Sequence, residues 1–177
     1  SAMPETFASN VRIHDSEFTS CAAHLRDDNS LGAITLGALD GVEIYNLTMD
    51  ESATTGQCIK GVFGWLRDLQ IHDCEFTVGT YGAQNGCVIE LWNFSDDSSI
   101  HHNVFNHGFV SLVSGYRGEG TRAMSFHHNE LYETLSNEFS SDHIEVAHNE
   151  FFGSSIADDR SIACWNCIAV WPTWGYT

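Results

Sequence analysis

Positive charge is what this chain has least of. Of 177 residues only seven are lysine or arginine, against 24 aspartates and glutamates, and Lys60 is the single lysine. The formal charge of −17 argues against nucleic acid, anionic membranes and unassisted polyanions as partners. Neutral partners, cations, or a high-salt or marine setting fit it better. A solvated acidic surface kept soluble by self-repulsion accounts for the same numbers. Long apolar runs are missing too, since no stretch of about 18 apolar residues offers a membrane span. Helical periodicity is absent and no LxxLxL pattern recurs, which sets aside helical and leucine-rich repeats.

Cysteine is present but unhelpful. Six cysteines permit a disulfide set without requiring one. Cys164-Trp165-Asn166-Cys167 is a CxxC without the second pair that a zinc site wants and without a βαβ context for redox chemistry. Buried free thiols or local disulfides are the expectation, and an extracellular or periplasmic location is only suggested. Asn46-Leu47-Thr48 and Asn93-Phe94-Ser95 fit the glycosylation pattern, which matters in a eukaryotic secretory host alone.

What the chain does have is a repeat. Ile13–Phe18, Ile44–Met49, Ile71–Phe76, Ile100–Phe105, Phe126–Leu131 and Val146–Phe151 share one frame, an apolar residue at each end with four residues between. The position two before the last apolar residue runs Ser16, Leu47, Cys74, Asn103, Asn129, Asn149, at spacings of 31, 27, 29, 26 and 20 residues. Such spacing suits a solenoid, whose units bury their apolar edges only by stacking. The local period is two, as in Val11/Ile13, Leu69/Ile71 and Met124/Phe126, and period two means strand. Earlier strand-like segments, such as 32–39, 57–63, 86–92, 108–114 and 160–166, follow Gly-, Asn- and Ser-rich turns including His107-Gly108.

These features resemble the right-handed parallel β-helix, a single all-β solenoid of about six coils. Ser1-Ala2-Met3 reads as a cloning scar; residues 4–177 form the domain, with 167–177 as a C-terminal cap. The resemblance runs from about Phe7 to about Trp165. In that architecture the asparagine of the frame is a bend residue that tolerates left-handed angles, and stacked amides bond from coil to coil. Phe126 and Leu131 then point inward, and the histidines form surface columns. One column is His14, Tyr45, His72, His101, His127, Ala147; its neighbour is Asp15, Asn46, Asp73, His102, His128, His148.

Three constellations follow. Imidazoles in one column, about 4.8 Å apart, suggest a divalent transition metal at His101/His127 and His102/His128, with His148 beside the latter. A stack of planar side chains on a sheet face is the bland account. Asp40, Asp68, Asp96, Asp97 and Asp142, with Arg122 in one coil, suggest an acidic column that Ca²⁺ would screen, or a solvated turn. Finally Phe63, Trp65, Trp92, Tyr116 and Trp165 end the first strands of their coils. An aromatic file with Asn93, Asn166 and Arg117 beside it is how proteins hold sugar rings; rings packed inside the solenoid are the alternative.

"IHHNVF" and "FHHNEL" are similar to the HHN segment of family 1 pectate lyases, and β-helix proteins of this appearance are mostly polysaccharide lyases, glycoside hydrolases and epimerases. The lyases' downstream arginine motif has no counterpart after Asn103 or Asn129, where only Arg117 and Arg122 stand. The polygalacturonase set of aspartates, G-H-G and R-I-K is also missing, with Asn106-His107-Gly108 its nearest trace. The resemblance therefore implies a glycan without supplying a catalyst. The expectation is an extracellular module that engages a polysaccharide, neutral rather than acidic, and belongs to or derives from a carbohydrate-active protein. The rivals are a lyase, hydrolase or epimerase using the histidine columns with Arg117 or Glu90, and a metal-binding or purely structural solenoid. Catalytic residues are unknown.

Overall fold

Period-two alternation becomes strand, and each strand finds its partner one coil away. The computed structural model describes residues 6–21, 32–54, 57–61, 66–79, 87–92, 98–113, 124–134, 137–140, 144–154 and 168–169, without the side chains of 92, 113, 138, 140, 168 and 169. Among them are sixteen strands and no helix, and every pairing between strands is parallel. The chain is a parallel β-solenoid.

Its first face stacks β1 (Ala8–Thr19), β3 (Leu39–Glu51), β5 (Leu66–His72), β8 (Ser99–His101), β11 (Met124–His127) and β14 (Ile144–Ala147). The second takes the C-terminal halves of β1 and β3, then β6 (Glu75–Val78), β9 (Val104–Asn106), β12 (Glu130–Tyr132), β15 (Glu150–Phe152) and β16 (Ile168–Ala169). The third is β2 (Gly32–Thr35), β4 (Gln57–Gly61), β7 (Cys87–Trp92), β10 (Phe109–Val113) and β13 (Glu138–Ser140).

The apolar ends of the repeat frame fill the interior. Ile44, Ile71, Ile100, Phe126 and Val146 from the first face and Met49, Phe76, Phe105, Leu131 and Phe151 from the second are all buried. Phe105, Phe126 and Phe139 bring one ring from each face together, with centroids 5.9 and 4.9 Å apart. Each such ring contributes about 2–3 kcal/mol by leaving water. Gly61 keeps the third face close to the first, because a Cβ there would lie 2.8 Å from Leu66 Cδ1 and 2.9 Å from Leu91 Cδ2.

The bend between the first two faces differs from the sequence expectation. The left-handed residue is not the asparagine of the frame but the residue before it. Asp15, Asn46, Asp73, His102, His128 and His148 have φ between 50° and 55°. Asp, Asn and His are the non-glycine residues that tolerate this region best. One left-handed residue turns the strand by a corner and lets the next side chain swing inward. That next residue is Asn103, Asn129 or Asn149, each buried to 1% exposure or less. Asn103 Nδ2 donates to Asn129 Oδ1 and Asn129 Nδ2 to Asn149 Oδ1, both at 3.0 Å. The same amides donate to the carbonyls of Ile71, Ile100 and Phe126, while their oxygens accept the backbone N–H of the coil before. The ladder expected from the sequence exists, and it is fully satisfied inside the core.

Candidate functional site

The corner that buries the asparagines pushes the histidines out. Both columns read from the sequence are real registers: His14 pairs with Tyr45, Tyr45 with His72, His72 with His101, His101 with His127 and His127 with Ala147. The rings lie flat on one another at 4.8, 5.4, 5.0 and 5.1 Å along the first column. In the second, His102, His128 and His148 stack at 5.2 and 4.9 Å.

Stacking decides which nitrogens meet. Parallel imidazoles hold their lone pairs in parallel planes, so His101 with His127, or His102 with His128, cannot aim two nitrogens at a point between them. Convergence runs across the columns instead. His101 Nδ1 is 2.8 Å from His102 Nδ1, and His127 Nδ1 is 2.9 Å from His128 Nδ1, with ring planes at 88° in both pairs. In two earlier coils an adjacent pair joins imidazole to carboxylate, with His14 Nδ1 and His72 Nδ1 each 2.8 Å from Asp15 Oδ2 and Asp73 Oδ2 respectively. His148 stands beside Ala147, whose methyl offers no such partner. Among the described residues no group of three or more His, Cys, Asp or Glu side chains is placed to hold one metal ion; the unit here is the pair.

Two rings of the first column, His101 and His127, are shifted down. Burial first, then the neighbouring imidazoles His127, His72 and His102, pushes His101 down to about 4. His127 is lowered by burial and then by His128 and His102. Asp15 is held below the usual carboxylate range by its hydrogen bonds to His14 and Asn46. Ser99 and Ser125 were not singled out in the sequence. Ser99 Oγ lies 3.1 Å from His127 Nε2 and accepts a hydrogen bond from Ser125 Oγ at 2.9 Å. Their signal was the register itself, which places both serines two residues before a column histidine on successive strands.

Comparison with protein-family models, curated proteins and solved structures found no match.

The acidic column does not form as expected among the described residues. Asp40 is in register with Arg67, and their charged groups are 3.9 Å apart. Asp68 falls one place later, level with Gly41, at a left-handed position with φ 45°. Gln70 Nε2 donates to its Oδ1 at 3.3 Å. An offset of one residue replaces like-charge stacking by an ion pair. Asp96, Asp97, Arg122 and Asp142 lie outside the described residues.

Of the aromatic file, Phe63, Trp65, Tyr116 and Trp165 lie outside the described residues, as do Asn93, Arg117, Asn166, Cys164 and Cys167. Trp92 ends β7 in register with Val113, and Gly61 pairs with Leu91. In sequence Trp65 and Tyr116 come four and three residues after the ends of β4 and β10. Glu90, a candidate acid/base residue, is bound to Lys60 Nζ at 2.8 Å and Gln57 Nε2 at 2.7 Å. Cys58, Cys74 and Cys87 are buried free thiols and Cys21 is an exposed one.

Two further outward rows were missed. On the second face Glu75, Val104, Glu130 and Glu150 form one row, and Thr77, Asn106, Tyr132 and Phe152 the next. Tyr132 and Phe152 stack at 4.6 Å and are half-buried, and Tyr132 Oη donates to Glu130 Oε2 at 2.6 Å.

Proposed function

We propose that this solenoid is an extracellular or periplasmic module that engages a neutral polysaccharide laid along its axis across the second face. The observation that supports the reading is the outward row Thr77, Asn106, Tyr132, Phe152 with the carboxylates of Glu75, Glu130 and Glu150 beside it. A row with one side chain per coil suits a ligand that repeats at the same interval, and a β-linked sugar advances roughly 5 Å, close to the strand spacing. The stacked rings offer the ligand an apolar ridge, while amide, hydroxyl and carboxylate groups take its hydroxyls. The carboxylates and the charge of −17 disfavour polyuronates and nucleic acids.

The test is a carbohydrate array followed by affinity electrophoresis, with neutral β-linked polymers set against polygalacturonate. Retardation without products is expected. Tyr132→Ala with Phe152→Ala should weaken it at least tenfold, on the scale of one lost aromatic anchor. If Trp92→Ala alone removes binding, the polymer lies on the third face. Release of products would favour the lyase or hydrolase rival, and preference for polygalacturonate would overturn the reading.

A further inference from the structure

The paired histidines at the corner carry a site of a different kind. Two nitrogens held about 2.0 Å from one ion are about 2.8 Å apart at an angle of about 90°, but about 3.3 Å apart at a tetrahedral angle. His101 Nδ1 and His102 Nδ1 are 2.8 Å apart, and His127 Nδ1 and His128 Nδ1 2.9 Å. We propose that each of these adjacent pairs chelates a divalent transition ion of tetragonal preference, Cu²⁺ before Zn²⁺, through two Nδ1 atoms in cis positions, with water completing the shell. The bite is that of a square plane, not of a zinc tetrahedron.

Two further features fit a ligand role. Metal-bound imidazoles present their other N–H to an acceptor, and Ser99 Oγ lies 3.1 Å from His127 Nε2. Where His127 donates Nε2–H to that hydroxyl, its Nδ1 lone pair faces His128. The backbone also fixes the second ligand of each pair, since His102 and His128 occupy the left-handed corner at φ 55° and 54°. Without metal, one ring of each pair donates Nδ1–H to the other. With metal, the donor ring moves its proton to Nε2 and both lone pairs turn to the ion, so a neutral pair binds without losing a proton. The pairs sit one coil apart, 5.1 and 5.2 Å between rings, so the second ion binds at least tenfold more weakly through repulsion.

Coil two supplies the control, because it has Tyr45 and Asn46 where the upper coils have two histidines. The full chain, cleared of metal, is titrated with Cu²⁺ alone by calorimetry and electron paramagnetic resonance. Micromolar or tighter binding is expected, with an axial signal split by imidazole nitrogens. His102→Asn with His128→Asn should weaken binding at least tenfold and remove that splitting, while His107→Ala, away from the corner, should not. Asparagine keeps the left-handed bend, so the variant should melt near the parent temperature. If it does not fold, His101→Tyr with His127→Tyr tests the same pairs. Unchanged affinity in these variants overturns the proposal. So does tighter binding of Zn²⁺ than Cu²⁺, or no Cu²⁺ binding by the parent, which would leave each pair a hydrogen bond only.

Discussion

Replacing Asn129 by alanine should be among the most damaging single changes in this protein. Its side chain makes four hydrogen bonds in a site that is 1% exposed: two donated, to Ile100 O and Asn149 Oδ1, and two accepted, from Asn103 N and Asn103 Nδ2. Truncation leaves the Asn103 backbone N–H without its acceptor, removes a donor from Ile100 O, and opens a small cavity within the ladder. Asn103 Nδ2 keeps Ile71 O, and Asn149 Oδ1 keeps Asn129 N. One orphaned buried donor costs about 1–3 kcal/mol, and each of the three further bonds about 1 kcal/mol, so about 4–6 kcal/mol in total. That is a large part of the roughly 5–15 kcal/mol of an ordinary domain. Urea unfolding at neutral pH, in EDTA, measures it as a fall in midpoint. Asn129→Asp separates shape from chemistry: it keeps the outline and the accepting oxygen but offers no donor to Ile100 O or Asn149 Oδ1. It should cost at least as much, because at neutral pH it sets a buried carboxylate against two carbonyl oxygens. Asn106→Ala, whose amide bonds Glu75 and Thr77 on the outer surface, should cost under about 1 kcal/mol. If Asn129→Ala costs no more than Asn106→Ala, the ladder is ornament and the reasoning fails.

Acid should loosen the histidine corner of the metal-free chain. His101 is held at about 4 in the fold against 6.5 for an ordinary exposed ring, so the unfolded chain takes up that proton first. Stability from this ring is therefore present above about pH 6.5 and lost as pH falls towards 4. The shift caps the effect near ~3 kcal/mol and solvent exposure reduces it to about 1 kcal/mol. His101→Tyr, copying Tyr45, should lose that much less than the parent between pH 7.5 and 4, and equal acid sensitivity would refute the assignment. Thiol labelling with peptide mapping should modify Cys21 in the native state and spare Cys58, Cys74 and Cys87 until unfolding. Burial raises all three buried thiols, Cys74 to about 11, and rapid native labelling of Cys87 would mean the third face opens.

The solenoid was legible because its core obeys one frame. Stacked coils require the same inward residues at each level, so Ile71, Ile100 and Phe126 announce their register without help from tertiary detail. The bend was misread by one residue, and the reason is physical. Asparagine is favoured both for left-handed backbone and for buried amide ladders, and sequence alone does not say which property is in use. The residues before the asparagines decide it: Asp15, Asn46, Asp73 and three histidines share only a tolerance for positive φ. His102, His128 and His148 therefore satisfy the fold's shape whatever else they do. Shape makes no such demand on the preceding column, where Tyr45 and Ala147 hold the level of His101 and His127. Two histidines side by side on successive coils exceed what the bend requires. Their converging Nδ1 atoms arise only once the corner has turned one ring at 88° to the next, an angle no periodicity encodes. The fold thus accounts for the second histidine of each pair, and the first is where selection for chemistry can be sought.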